Sequence, residues 1–65
     1  MKLTFLTETR VMMTTWDKKI AFKTYFAGNQ LEDVGVTEDL VDSNLVTISH
    51  NKNSFSINKN LIKIE

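Results

Sequence analysis

His50 is the only histidine of this 65-residue sequence, and histidine is the side chain that most readily exchanges a proton near neutral pH. It lies in the stretch SHNKN, next to Ser49 and close to Ser54. A Ser-His-Asp arrangement also requires an oxyanion hole and a buried acid that orients the histidine. The sequence places His50 at the polar end of a hairpin without such an acid, so we expect no nucleophilic catalysis there.

Carboxylates occur as two adjacent pairs, Glu32 with Asp33 and Glu38 with Asp39. General acid catalysis requires that one member of such a pair be buried, whereas neighbouring acids in a polar stretch are normally solvated. A calcium loop requires alternating acids, a glycine and a closing glutamate, and VGVTEDLVDSN does not have that spacing. We therefore expect neither acid catalysis nor calcium binding from these pairs.

Other metal and cofactor motifs are missing from the sequence. The chain has no cysteine, and one histidine is too few for a typical zinc site. Its only glycines, Gly28 and Gly35, form no phosphate loop and no dinucleotide pattern. A chain of this length also has little room for a substrate pocket. We expect no metal, no cofactor and no enzymatic activity.

The best candidate for a functional surface is the stretch TTWDKKIAFKTYF, which combines aromatic and basic residues. If this stretch folds as a hairpin with a two-residue loop, one exposed face carries Arg10, Met12, Trp16, Lys19, Lys23 and Tyr25. Such a face is typical of proteins that bind single-stranded RNA or DNA, because rings stack on bases and cations neutralise phosphates. Trp, Tyr, Met and Arg are also enriched at protein interfaces. A third interpretation is cross-strand pairing that only stabilises the sheet.

A first hairpin must position this face. The β-branched and aromatic residues between positions 2 and 26 favour strands on both sides of the polar stretch WDKKI. If Asp17 and Lys18 form a two-residue loop, Trp16 pairs with Lys19. The opposite face then carries an apolar set suited to a core: Val11, Met13, Ile20, Phe22 and Phe26. A three-residue loop would mix the two sets.

A second hairpin is predicted by the period-two alternation of LVTISHNKNSFSIN. A two-residue loop at Asn51 and Lys52 pairs Ile48 with Phe55, and asparagine tolerates the left-handed backbone of such turns. The same register pairs Val46 with Ile57 and completes an apolar face. Beyond it, INKN indicates a tight bend and LIKIE a short last strand with Ile62 and Ile64 facing inward.

The stretch between the hairpins is acidic. Residues 31 to 42 hold five acids and no base, which leaves eight bases against three acids, a net +5, on the rest of the chain. The acids Glu32, Asp33, Glu38, Asp39 and Asp42 are either solvated or a partner-binding segment that imitates a phosphate run. We expect one short helix or helical turn around residues 29–43, with an edge strand at LEDVGV as the alternative.

Together these elements predict a single domain over residues 1–65 that is mainly β. It is a small five-stranded barrel or a strongly curved antiparallel sheet built from two hairpins, with at most one short helix. The order of hairpin, tight turn and closing strand over residues 44 to 65 resembles that of SH3-like and Sm-like barrels. The first hairpin lacks the glycine and aspartate signature of Sm proteins, so neither their ring assembly nor their RNA site is implied.

The balanced charges, eight basic and eight acidic residues, argue against a strongly electrostatic nucleic-acid binder. We therefore expect a small regulatory or inhibitory binding protein that acts through protein contacts. A chain this small buries only about 60% of its unfolded surface, so we expect a homodimer or higher oligomer. The alternative is a barrel that binds single-stranded nucleic acid, and a third class is a structural subunit that extends sheets edge to edge. MKLTFLTETR has no signal-peptide pattern and no apolar run spans a membrane, so we expect a cytoplasmic protein without a membrane partner.

Overall fold

The structure, a computed structural model, describes residues 1–65 and holds eight strands. A single 3₁₀ turn, Lys59–Leu61, precedes the last strand, and there is no α-helix. The strands are β1 Leu3–Phe5, β2 Thr9–Thr14, β3 Ile20–Tyr25, β4 Gln30–Leu31, β5 Gly35–Glu38, β6 Leu45–His50, β7 Asn53–Asn58 and β8 Ile62–Ile64. The prediction of a mainly β fold is confirmed. No helix has the length and apolar character that crossing a bilayer demands.

The strands form two antiparallel sheets with the core between them. The smaller sheet has the order β4-β1-β8, and the larger has the order β3-β2-β7-β6-β5. The larger sheet ends at β3 and β5, which do not pair with each other, so the prediction of a closed barrel is not confirmed. Both sheets contribute to the buried apolar core: Leu3, Phe5, Val11, Met13, Tyr25, Val34, Val46, Ile48, Phe55, Ile57 and Ile62.

The second predicted hairpin is confirmed as β6 and β7. Its ladder pairs Ile48 with Phe55 and Val46 with Ile57. The loop consists of Asn51 at φ 48° and Lys52 at φ 66°. Two successive left-handed residues define the type I′ turn, whose twist matches that of the flanking strands.

The closing segment also follows the sequence pattern. The Asn58 side chain accepts a hydrogen bond from the Asn60 amide at 2.9 Å and so begins the 3₁₀ turn. Ile62 is then buried, and Ile64 packs partly buried against the same core. The predicted bend and the inward orientation of both isoleucines are confirmed.

The first hairpin differs from its prediction by one loop residue. Its ladder pairs Met13 with Ala21 and Met12 with Phe22. The loop is Trp16, Asp17 and Lys18, closed by a 2.8 Å hydrogen bond from the Thr15 amide to the Lys19 carbonyl. Lys18 alone takes a left-handed conformation, at φ 64°. The two-residue loop was wrong, because a three-residue loop requires only one positive φ.

This single residue exchanges the two faces of β3, since side chains alternate along a strand. Ile20 and Phe22, predicted to be in the core, are 63% and 61% exposed, and Phe26 is exposed as well. Tyr25, predicted to be on the exposed face, is only 5% exposed. The predicted faces of β2 are confirmed, because Val11 and Met13 are buried.

The acidic stretch contains no helix, so the expected short helix around residues 29–43 was wrong. Gln30–Leu31 pairs with β1, and Gly35–Glu38 forms the outer strand of the larger sheet beside β6. Asp33 turns the chain between these two strands at φ 55°. Val34 is buried in the core and its amide bonds to the Met1 carbonyl at 2.9 Å. The edge-strand alternative is confirmed only in part: Gly35–Glu38 is an edge strand, but residues 32–34 of LEDVGV connect it to Gln30–Leu31.

Candidate binding face

The loop of the first hairpin is fixed by Thr15. Its hydroxyl oxygen accepts a 3.1 Å hydrogen bond from the Lys19 amide, and its proton is donated to the Asp17 carboxylate. The bond from Thr15 holds the pKa of Asp17 below its ordinary value, with backbone contacts and the Lys19 side chain acting in the same direction. Lys19 also forms an exposed ion pair with Asp17 at 3.6 Å. The loop therefore holds Trp16 at its tip, where its side chain is 75% exposed.

The outer surface of β2 and β3 carries a cluster of exposed apolar residues. Met12 lies directly opposite Phe22 in the ladder, and Ile20 is two residues away on the same side of the sheet. Met12 is 56% exposed. We call Arg10, Met12, Trp16, Ile20 and Phe22 the hairpin face. Such exposed apolar clusters on a small protein mark contact surfaces.

Arg10 gives the hairpin face its one charge. Its guanidinium carbon lies 4.8 Å from the centre of the Phe22 ring. A cation at this distance over a ring is attracted by the ring's negative face. The arginine thus lies against the apolar cluster and keeps its hydrogen-bond donors at the surface.

The structure brings together only part of the predicted binding face. Arg10 and Met12 share the outer surface, and Trp16 projects from the loop at its end. Lys19 is exposed immediately after the loop and is paired with Asp17. Lys23 and Tyr25 point to the other side of the sheet, so these two residues do not belong to the face.

Tyr25 is a core residue. Its ring stacks on Phe5 of the smaller sheet, with centroids 4.4 Å apart and planes inclined by 6°. A second, tilted contact at 6.2 Å joins it to Phe55. The Lys23 ammonium lies over the Tyr25 ring, 5.1 Å from its centre. Tyr25 therefore connects the two sheets.

Sequence reasoning missed Ile20 and Phe22 as surface residues because their apolar character indicates a core. One signal points the other way. Thr15 stands four residues before Lys19, the spacing at which a threonine hydroxyl can close a loop on the following strand. A two-residue loop would place both Asp17 and Lys18 in the left-handed region, whereas the three-residue loop requires this only of Lys18.

Beside the apolar cluster the outer surface becomes polar. An open groove of about 190 Å³ crosses β2, β7 and β6 next to the hairpin face. Its lining is mostly hydroxyl groups: Met12, Thr14, Thr47, Ser54, Phe55 and Ser56. Met12 thus borders both surfaces, and the exposed apolar area ends where the serine and threonine side chains begin.

Three of the five acids, Glu38, Asp39 and Asp42, lie at the opposite edge of the larger sheet, and Glu32 and Asp33 lie in the connection between β4 and β5. The Asp39 carboxylate accepts hydrogen bonds from the Val41 amide at 2.7 Å and the Asp42 amide at 3.0 Å. These backbone donors, that of Asp42 first, hold the pKa of Asp39 below its ordinary value. Asp42 accepts similarly from the Asn44 amide at 2.9 Å. Two of the five acids therefore shape their own turn, while Glu32, Asp33 and Glu38 are exposed.

No three side chains of histidine, aspartate or glutamate come together as a group that could hold a metal ion. His50 ends β6 beside the Asn51 turn and is half-buried. Comparison with known proteins adds no relative from which a function could be carried over: no family model, no curated protein and no solved structure matches the chain. A functional proposal therefore rests on the geometry of the hairpin face.

Proposed function

We propose that this protein is a small, non-catalytic regulatory or inhibitory binding protein that acts through protein contacts and self-associates. The observation that carries the proposal is the exposed apolar cluster of Met12, Ile20 and Phe22, beside an exposed Trp16. Burying apolar surface is the main favourable term in protein association. Three large apolar side chains lie on one sheet surface of this small domain, and burying them against another protein surface lowers the free energy.

The chemical composition of the hairpin face supports a protein partner. Aromatic residues, methionine and arginine are the types enriched at the centre of protein interfaces, where tryptophan and arginine also carry much of the binding energy. Lysine is depleted there, and the hairpin face contains no lysine. Balanced charge over the whole chain points the same way, since nucleic-acid modules of this size are usually basic.

Self-association provides the test that needs only the protein itself. We expect sedimentation equilibrium to show a molecular mass that rises with protein concentration. Phe22→Ser removes the centre of the hairpin face and should weaken this association by at least about tenfold, a typical effect of truncating a central aromatic anchor. Leu40→Ser is the matched control, because Leu40 is fully exposed in the turn between β5 and β6.

Equal association by the wild type, Phe22→Ser and Leu40→Ser would contradict the assignment of the hairpin face. A wild-type chain that stays monomeric up to about 1 mM would remove self-association from the proposal. In that case a partner of different sequence would have to cover the hairpin face. Circular dichroism of each variant shows that the fold is intact before the comparison is made.

Single-stranded nucleic acid is the second candidate, and one observation favours it. Trp16 is exposed in a loop that also holds Lys18 and precedes Lys19, with Arg10 on the adjoining strand. Stacking of a base on a tryptophan contributes about 1–3 kcal/mol, and phosphate contacts make binding fall steeply with salt. Titration with a mixed-sequence oligonucleotide should then quench Trp16 emission at low salt and lose this effect at moderate salt. Unchanged emission at low salt would exclude this candidate.

A further inference from the structure

We propose that β3 pairs with β3 of a second copy of this chain, antiparallel across a two-fold axis centred on Phe22, which joins two five-stranded sheets into one. The inference deepens the proposed function and rests on its self-association. It names the contact that covers the hairpin face and the register in which the two chains meet.

The unpaired edge of β3 is the first observation. A backbone hydrogen bond from the Thr15 amide to the Lys19 carbonyl marks a hydrogen-bonded position, and such positions alternate with non-hydrogen-bonded ones along an antiparallel ladder. Ala21, Lys23 and Tyr25 therefore direct their backbone groups toward β2. Ile20, Phe22 and Thr24 direct theirs away from the sheet, where no strand follows and no backbone or side-chain partner is found. Five of the six residues of β3 are also exposed. An exposed strand edge of this kind is a template for pairing with another chain.

One register satisfies all of these groups at once. With Phe22 opposite the second copy's Phe22, Ile20 lies opposite the second copy's Thr24, and the reverse pair follows by symmetry. Every outward amide and carbonyl of the three residues then has a partner. A shift of two residues in either direction leaves one end of β3 outside the ladder.

Charge selects the same register. In the Phe22-centred pairing, Lys23 lies opposite Ala21 of the second copy, and Lys19 lies opposite Tyr25. A shift in one direction places Lys23 opposite Lys23, and a shift in the other places Lys19 opposite Lys23. Like charges directly opposite each other destabilise a strand pair. The register that uses the whole strand is therefore also the one without a lysine pair.

The other edge of the larger sheet does not offer an equivalent contact. β5 has only four residues, and the amide of the preceding Val34 already bonds to the Met1 carbonyl. Glu38 lies on this strand and the Asp39 turn follows it. Short, charged edge strands are a common protection against sheet extension. A two-fold contact at β3 closes after two chains, whereas a contact from β3 to β5 would add further copies, as a ring or as an open-ended filament.

The two-fold contact also covers the apolar cluster. Phe22 of one chain meets Phe22 of the other on the outer surface, between the two Met12 side chains. The register brings Phe26 of one copy to the level of Lys18 of the other, which lies in the same loop as Trp16. One strand pair buries less than the roughly 800 Å² per partner of a standard interface, so we expect a weak dimer that forms at high protein concentration.

Cysteine cross-linking tests the register, since the chain contains no cysteine of its own. We would mix Ala21→Cys with Lys23→Cys at about 1 mM in a thiol–disulfide buffer; both positions are exposed. In the proposed register Ala21 and Lys23 of the second copy form a non-hydrogen-bonded pair. The Cα atoms of such a pair are about 4.5 Å apart, which a disulfide can span. The two Ala21 positions are diagonal neighbours, and so are the two Lys23 positions. Residues in this arrangement are about 7–8 Å apart, a distance that a disulfide cannot span. We expect the mixed disulfide to exceed each homodisulfide by at least about tenfold.

Statistical mixing, with two mixed disulfides for each homodisulfide, would overturn the inference. So would a dominant Lys23→Cys homodisulfide, which marks a shifted register, or open-ended assemblies, which mark a contact between β3 and β5. Salt gives an independent readout: both β3 edges are basic, so screening at about 0.5 M salt should strengthen this dimer. If association depends on Phe22 but the cross-links do not favour the mixed pair, the proposed function stands and this inference fails.

Discussion

Replacing Tyr25 by alanine should cost this domain most of its stability. Tyr25 is buried between the sheets and stacks on Phe5. Truncating a buried large aromatic side chain costs about 3–5 kcal/mol, and the loss of a stacked aromatic pair adds about 1 kcal/mol. At roughly 0.05–0.15 kcal/mol per residue, a chain of 65 residues has about 3–10 kcal/mol of stability in total. Tyr25→Ala therefore leaves the domain marginal or unfolded.

Phe22→Ala is the matched substitution, because it removes an aromatic ring from the same strand. The ring is largely exposed and its main contacts are Arg10 and Met12. An exposed cation–ring contact and a cross-strand pair are each worth about 0.5–1 kcal/mol. We expect a loss of about 1 kcal/mol, which lowers the Tm by roughly 4–8 °C in a domain of this size.

Thermal unfolding followed by circular dichroism compares the two variants at low protein concentration, where self-association does not contribute. We expect a cooperative transition for Phe22→Ala and a Tm at least about 15 °C lower, or no transition, for Tyr25→Ala. The reverse order, with Tyr25→Ala tolerated and Phe22→Ala unfolded, would refute the three-residue loop. In that case β3 would present its other face to the core.

Three further predictions concern loops. Thr15→Ala should lower the free energy of unfolding by about 1 kcal/mol, because the Lys19 amide loses its hydrogen-bond acceptor. NMR titration of the same variant should show a higher pKa for Asp17, and an unchanged pKa would contradict the contact between the Thr15 hydroxyl and Asp17. Lys52→Gly should raise the free energy of unfolding by about 0.5 kcal/mol in urea titrations. Glycine removes the steric cost of the left-handed backbone at this position, and this gain slightly exceeds the extra conformational entropy that glycine loses on folding. Destabilisation by this substitution would argue against the type I′ turn. Asp39 should titrate below 3.8, so its contribution to turn stability is present above that pH and is lost as the pH falls through the lower folded-state pKa. The Asp39→Asn variant should lack this pH dependence.

The second hairpin could be predicted from the sequence because its local signals agree. Apolar and polar residues alternate on both arms, and asparagine stands at the first loop position. The apolar face of β6 and β7 is also needed to cover the smaller sheet, so packing strengthens the same register. Ile48 with Phe55 and Val46 with Ile57 follow without any information from elsewhere in the chain.

The first hairpin could not be predicted in the same way because its local signals conflict. The apolar residues Ile20 and Phe22 favour the core, whereas the chemistry of the Thr15 loop and the stacking of Tyr25 on Phe5 place those residues outside. The stacking joins residues twenty positions apart, and the alternation of apolar and polar residues along a strand does not predict such a long-range contact. Places where a local pattern is overridden are often functional ones. Here two of the misassigned residues, Ile20 and Phe22, belong to the hairpin face.

Association through the hairpin face can be tested by an NMR dilution series of the ¹⁵N-labelled protein, in which each backbone amide reports on its own surroundings. Such association predicts concentration-dependent shifts at Met12, Ile20, Phe22 and the Trp16 indole, with the amides of β5 and the Asp39 turn unchanged. Shifts concentrated on β5, or on Thr47 and Ser56 in the polar groove, would show that the chain associates elsewhere and would contradict the assignment of the hairpin face.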